Sequence, residues 1–187
     1  MERLRLLWIG LAIAAAIFFA IALTGCGGGD LNSSDDGGSN AGDGAMSASD
    51  PHLQKNLDDL NSYRAQNGAP ALVVDDQLSS FALAGSQQLI ASGVPHQHFM
   101  QASADGSLWT SGFCQSAGEN QAPGWPASND SVEDQSIDQV LAQMMAEGPG
   151  GGHHDNIVNP AFTRVGIAIV VQQGQLWLTN DFSSNCQ

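Results

Sequence analysis

Basic residues are scarce in this chain. Five Lys and Arg stand against 19 Asp and Glu, for a formal net charge of -14. Arg3 and Arg5 occupy the extreme N-terminus, so only Lys55, Arg64 and Arg164 offset the acids of the remainder. A polyanion is held by neutralising its phosphates with Lys and Arg, and this balance excludes nucleic acid as a partner. Several catalytic signatures are missing as well. There is no Gly-x-Ser-x-Gly elbow for an acyl-transfer serine, no His-Glu-x-x-His and no four-cysteine zinc pattern. The run Gly148-Pro149-Gly150-Gly151-Gly152 lacks the Lys and Ser/Thr of a phosphate loop and does not follow a strand. A length of 187 residues suits one ordinary domain with additional segments rather than a two-domain enzyme.

What is present begins with an export signal. Residues 6–23 form an uncharged apolar run behind Arg3 and Arg5, closing on Leu23-Thr24-Gly25-Cys26. The run reaches the lower limit of about 17 to 25 residues for a membrane span, but its ending resembles the bacterial lipobox, in which small residues precede a cysteine that is acylated and becomes the new N-terminus. Residues 1–25 are therefore read as a lipoprotein signal peptide and Cys26 as the lipidation site. Several acyl chains there would give the stable anchoring that one chain cannot, tethering the protein to the envelope on the extracytoplasmic side. Residues 26–50 are rich in Gly, Ser, Asn and Asp and carry few large apolar side chains. Such a composition predicts a flexible tether reaching on the order of 25 Å, and the folded domain is placed at residues 51–187.

Within that domain the punctuation predicts three helices. Asp50-Pro51 reads as an N-cap and first-turn proline ahead of Leu53, Leu57 and Leu60, before Gly68. A second helix runs from Asp75 or Asp76 through Leu78, Phe81 and Leu89 to a C-terminal Gly93. A third starts near Asp130 or Ser131, with Asp134 in a capping-box position, and ends at Gly148-Pro149. Its Met144 and Met145 read as core filler. The period then changes to that of strands, predicting an antiparallel hairpin from Val165 to Val171 and Leu176 to Phe182 with Val165, Ile167, Ile169 and Val171 on one face. A further strand is expected around Leu108 to Phe113. The pattern gives an α/β layered domain with a mainly antiparallel sheet, which at this size buries about two-thirds of its unfolded surface.

Of three cysteines, Cys26 belongs to the lipobox, leaving Cys114 and Cys186 as one pair for a disulfide in an oxidising compartment. The rival reading makes Cys114 a nucleophile served by a histidine. His52, at a helix start, reads as solvated. The other histidines fall in two clusters: Pro95-His96-Gln97-His98-Phe99, where an extended chain would put both imidazoles on one face, and Gly152-His153-His154-Asp155 after the glycine loop. Glu119, between Gly118 and Asn120, and Glu147, at the end of the third helix, are the carboxylates beside them. On spacing alone, loop histidines bonded to their surroundings account for the pattern better than a site does. Trp125, between Pro123 and Pro126, is either packed by a rigid loop or presented to a glycan or lipid.

The order of these segments resembles the CAP superfamily, also called SCP-like, which includes cysteine-rich secretory proteins, venom antigens and plant pathogenesis-related proteins. The resemblance is carried by Asn61-Ser62-Tyr63-Arg64, Leu72, Leu78, His98, Gly118-Glu119-Asn120, Glu147, Gly152-His153, Val165-Gly166-Ile167 and Trp177-Leu178-Thr179-Asn180-Asp181-Phe182. It implies a three-layer α-β-α sandwich with a cleft lined by two histidines and two glutamates: His98 and His153 as ligands of a divalent metal such as Zn, Glu119 and Glu147 as the acid-base pair. His96 is the alternative to His98. Met144 stands where family members usually carry tryptophan, and His154 is expected on the cleft rim. Members share the tetrad without sharing a reaction. The expected function is therefore a metal-dependent module binding a lipid, a sterol or a cell-wall glycan, with a metal-assisted hydrolase using Glu119 or Glu147 as general base as the alternative.

Overall fold

A computed structural model describes residues 44–45 and 50–186. The expected signal peptide, the expected lipidation site Cys26 and the rest of the expected tether lie outside the described residues. Among those described, no helix is long and apolar enough to cross a membrane.

The elements in chain order are β1 (Gly44–Ala45), α1 (Pro51–Gln66), β2 (Val73–Val74), α2 (Asp76–Ser92), α3 (Gln97–Asp105), a 3-10 turn (Ser107–Thr110), β3 (Ala117–Pro126), α4 (Asp130–Ala146), α5 (Gly152–Val158), β4 (Arg164–Gln172) and β5 (Gln175–Ser183). The three predicted helices form, and their caps say why. Asp50 accepts from the His52 amide with Pro51 in the first turn, Asp75 accepts from Gln77 and Leu78, and Gly93 closes α2 in the left-handed conformation at φ 69°. The α4 cap is Asn129, one residue earlier than expected, whose side chain accepts from the Val132 amide.

Strands β4 and β5 form the predicted hairpin, turning through Gln173 and Gly174, both at positive φ. β3 pairs antiparallel with the outer side of β5, and β1 antiparallel and β2 parallel with β4, giving the order β1-β4-β5-β3 with β2 also on β4. The sheet is thus mixed through one short parallel pair. Residues 44–45, placed in the tether by composition, add a bridge to Val170 and Val171. Backbone pairing needs no apolar side chain, so composition carried no sign of it.

The expected strand around Leu108 to Phe113 is corrected. Leu108 to Phe113 is a 3-10 turn and loop, with Leu108 and Phe113 buried in a small cluster with Leu78 and Phe81. The sheet's other edge is instead β3, whose residues Gly118 to Ala122 are buried. Its polar, glycine-containing composition hides the strand, because its buried side chains are hydrogen-bonded rather than apolar. Trp125 lies on β3 opposite Leu176 and packs against the main core.

The sheet separates two helical layers, as in an α-β-α sandwich. Val165, Ile167, Ile169, Val171, Leu178 and Phe182 form the main core with Leu60, Ile137, Leu141 and Met144 of α1 and α4. On the other face α2 lies close to the strands. A Cβ on Gly166 would stand 2.1 Å from the Leu78 carbonyl carbon, so only glycine admits the helix backbone there. Arg64, wholly buried, donates to the carbonyls of Pro70, Ile157, Asn159 and Phe162 and ties α1 to the α5–β4 connection. Asn61 exchanges two hydrogen bonds with the Leu72 backbone. Cys114 and Cys186 form a disulfide with a Cα–Cα distance of 5.2 Å. A link across a sequence separation of 72 residues is worth about 4 kcal/mol by loop-closure entropy.

Candidate functional site

The histidines and glutamates expected to line the cleft gather beside β3. Glu119 points from this strand toward α2, and its Oε1 accepts from Nδ1 of His96 at 2.9 Å. His96 is held from two sides. Its φ of 60° sets it as the left-handed residue opening α3, and its amide donates to Oε1 of Gln121 at 2.6 Å. Gln121 is two residues after Glu119 on β3, so strand periodicity places both side chains on one face.

The second half comes from the α4–α5 connection. Glu147 caps α4, and the backbone folds back through Gly148 and Gly150, at φ 69° and 94°. A Cβ on Gly151 would lie 2.4 Å from that of Glu147. This tight return brings His153 onto the glutamate: its amide donates to Oε2 at 3.0 Å, and its Nδ1 lies 2.5 Å from Oε1. The bond to His153 holds the Glu147 carboxyl below the usual carboxylate range. Asn120 joins the halves, donating to the His153 carbonyl at 3.0 Å and accepting from Asn156 at 2.9 Å. Gly118 makes room for this network, since a Cβ there would meet Oδ1 of Asn156 at 2.6 Å.

The two imidazoles face one another with ring centroids 6.0 Å apart. Their side chains are 35% and 29% exposed, while that of Glu119 is 1% exposed. Each ring presents Nδ1 to a glutamate, which leaves both Nε2 atoms as lone-pair donors. The arrangement suits a cation with water completing its coordination.

The structure brings His96, Glu119, Glu147 and His153 together and leaves His98 out. Pro95 to Phe99 is not extended. The chain enters α3 at Gln97, so positions 96 and 98 no longer share a face, and the His98 ring packs on Phe81 with centroids 4.3 Å apart. The first cleft histidine is His96. His154 is corrected too: it is buried at 8% exposure with Nδ1 3.0 Å from Asp155, instead of standing on a rim. Met144, in the position usual for tryptophan, fills the core and lets its sulfur meet the Asn120 amide at 3.8 Å.

A second His/carboxylate group, unforeseen in the sequence, sits where α1 meets α4. His52, expected in solvent, is 6% exposed. Its Nδ1 lies 3.0 Å from Asp134 and its Nε2 3.3 Å from Glu133. His52, Asp130 and Glu133 offer three ligand atoms within 4.8 Å of one another, a set that can hold a metal ion. Burial, reinforced by the neighbouring Asp130, Asp50 and Asp134, raises the Glu133 carboxyl above its ordinary range despite His52. The signal available in the sequence was the spacing of Asp130, Glu133 and Asp134 on one helix. Nothing local paired it with His52.

At the side of the sheet away from β3 lies a groove of about 750 Å³ between α1 and α2 over β4. Leu53, Leu57, Leu72, Leu83, Ile167 and Ile169 make most of its wall, and Asp76, Ser79 and Ser80 line one side.

Comparison with known proteins matches this architecture. No curated protein sequence matches. Among solved structures, an outer surface protein from Borrelia burgdorferi is similar at 12% identity and a TM-score of 0.52, over 76% of this chain and 99% of that one. NaASP2, solved with Zn2+, is similar at 12% identity and a TM-score of 0.51, over 72% and 80%. An extracellular protein containing an SCP domain from Bacillus anthracis shares 22% identity at a TM-score of 0.49, the match covering 72% of this chain and 41% of that protein's length. The family model described as cysteine-rich secretory protein family, CAP, matches residues 57–181, a span holding α1 from its second turn, the whole cleft and all of β4. With that match over more than half of its length, the chain belongs to the CAP family.

Proposed function

We propose that this protein is an extracytoplasmic binding module whose cleft takes a divalent cation between His96 and His153. The carrying observation is the paired geometry: two partly exposed imidazoles 6.0 Å apart, each with Nδ1 engaged by its own glutamate. Zinc–imidazole bonds are about 2.0–2.1 Å, so one ion fits between the rings after a small closing motion. The bound ion would supply a positive centre in a strongly acidic protein. Glu119 and Glu147 fix the ring orientations, the usual task of carboxylates behind metal-bound histidines. The presence of Zn2+ in the NaASP2 structure supports the choice of cation.

A hydrolase using Glu119 or Glu147 as general base is less well served. Both oxygens of Glu147 accept from His153, and Glu119 is buried behind His96. Glu147 has no uncommitted oxygen, and the one unpartnered oxygen of Glu119, Oε2, is buried away from solvent. The groove over β4 favours a lipid chain over a glycan, because its wall is aliphatic and lacks the aromatic platform on which sugars stack. Extracytoplasmic placement, anchored through Cys26, draws support from the Cys114–Cys186 disulfide and from the outer-surface location stated for the Borrelia protein.

Calorimetric titration of the full chain with Zn2+ tests the cation reading. One site lost in both His96→Ala and His153→Ala and kept in His52→Ala is the expected result. Binding that survives both cleft variants would refute it.

A further inference from the structure

Beneath the cleft lies a carboxyl group that the cation reading leaves unused. Asp181 on β5 stands directly opposite Glu119 of β3, and its other neighbour in the ladder is Gly166 of β4. Its side chain points into the narrow space under α2, where it is 0% exposed. Neither Asp181 oxygen has a hydrogen-bond partner, and neither does Oε2 of Glu119. Among the described residues, no Lys, Arg or His lies within ion-pair distance of Asp181.

The surroundings supply no counter-charge. From α2 come Gly85, whose Cβ position is 3.3 Å from Oε2 of Glu119, and Ser86, which is engaged with Thr179 at 2.7 Å. Gln121 donates to Thr179 and accepts from the His96 amide, so its amide is also committed. From the start of α3 come His96, which reaches only Glu119, and His98, which lies on Phe81. Two carboxylates facing each other in a dry sheet, each able only to accept, would repel. Such pairs hold one proton between them.

We propose that Asp181 is a neutral carboxylic acid that donates its proton to Oε2 of Glu119 and thereby acts as the positioning residue behind the Glu119–His96 pair. One O–H···O bond then satisfies the orphaned Oε2 and one oxygen of Asp181. The pair carries a single negative charge. Oε1 remains for Nδ1–H of His96, and Nε2 is left toward the cleft. Burial, followed by the nearby Glu119 charge, pushes Asp181 well above the ordinary range of an aspartic acid, in agreement with the geometry. The positioning role rests on the reading of His96 as a cation ligand. The protonation does not.

Infrared spectroscopy of the full chain at neutral pH tests the protonation. The wild type is expected to show the C=O stretch of a protonated carboxyl, and Asp181→Asn to lack it. The asparagine amide can still donate to Oε2, so this variant should keep Zn2+ affinity within about threefold of wild type, whereas Asp181→Val, which cannot donate, should lose about 10- to 100-fold, the usual cost of removing a partner behind a metal-bound histidine. A wild type without the band, or a band surviving in Asp181→Asn, overturns the proposal even if the valine variant fails to fold. A folded Asp181→Val that binds Zn2+ as tightly as wild type overturns the positioning role. The band with no Zn2+ binding by the wild type upholds the neutral acid and refutes the cation reading instead.

Discussion

The cleft and the α1–α4 junction both gather imidazole and carboxylate, yet they use them differently. In the cleft each ring gives Nδ1 to a glutamate and stays partly exposed. At the junction the His52 ring is closed in on both sides, Nδ1 by Asp134 and Nε2 by Glu133, with its side chain 8% exposed. The first arrangement leaves a lone pair for a ligand; the second commits both ring nitrogens and ties α1 to α4. Counting acids around a histidine therefore does not identify a ligand. Which nitrogen remains uncommitted, and what it faces, decides the matter.

The sharpest way to break this contrast is zinc titration of the three histidine variants. Loss of the site in His52→Ala with retention in His96→Ala would transfer the ion to the junction, where three ligand atoms already lie within 4.8 Å. The expected outcome is the reverse, with binding lost entirely in either cleft variant. Stability should show the complementary order. Leaving a buried polar group without its partner costs about 1–3 kcal/mol, so His52→Ala, which strands Glu133 at 4% exposure, should lower the urea midpoint more than His153→Ala. Equal midpoints for the two variants would show that His52 is not a clamp.

A smaller effect separates the regions by the sign of their pH dependence. Glu133 is raised chiefly by burial, so its contribution is fully present below the unfolded carboxyl range and declines as pH rises through the elevated folded range. Glu147 is lowered by His153, so its contribution is present above the unfolded carboxyl range and is lost as pH falls through the depressed one. Urea denaturation across the acid range should therefore show opposite changes in slope for Glu133→Gln and Glu147→Gln relative to wild type. The same direction in both would contradict the assignment. Smallest of all should be His98→Phe. Its ring sits on Phe81 outside the cleft, so zinc affinity should stay within about twofold, and a loss beyond tenfold would return His98 to the ligand set.

Much of the architecture was legible in the sequence because its causes are local. Asp50-Pro51, Asp75 and Gly93 cap helices whichever domain they occupy, and the alternating Val165, Ile167, Ile169 and Val171 mark a strand with one face in the core. The hidden elements were those whose stability comes from elsewhere. β3 reads as a polar loop because Glu119, Asn120 and Gln121 are satisfied by His96, His153 and Thr179, residues far away in the chain. α3 begins at a left-handed His96 whose amide donates to Gln121, 25 positions later, and His96 rather than His98 meets Glu119.

The caps of α1 and α2 and the β4–β5 hairpin were thus determined by residue type and near neighbours; the cysteine pair followed by elimination once Cys26 was assigned elsewhere, and Glu119, Glu147 and His153 became candidates through the family resemblance rather than through their spacing. Tertiary structure decided which histidine completes the cleft, that His52 is buried against Glu133, and that Asp181 faces Glu119 without a counter-ion. Those outcomes depend on desolvation and on partners distant in sequence, and burial becomes a property of a side chain only once the layers have closed around it.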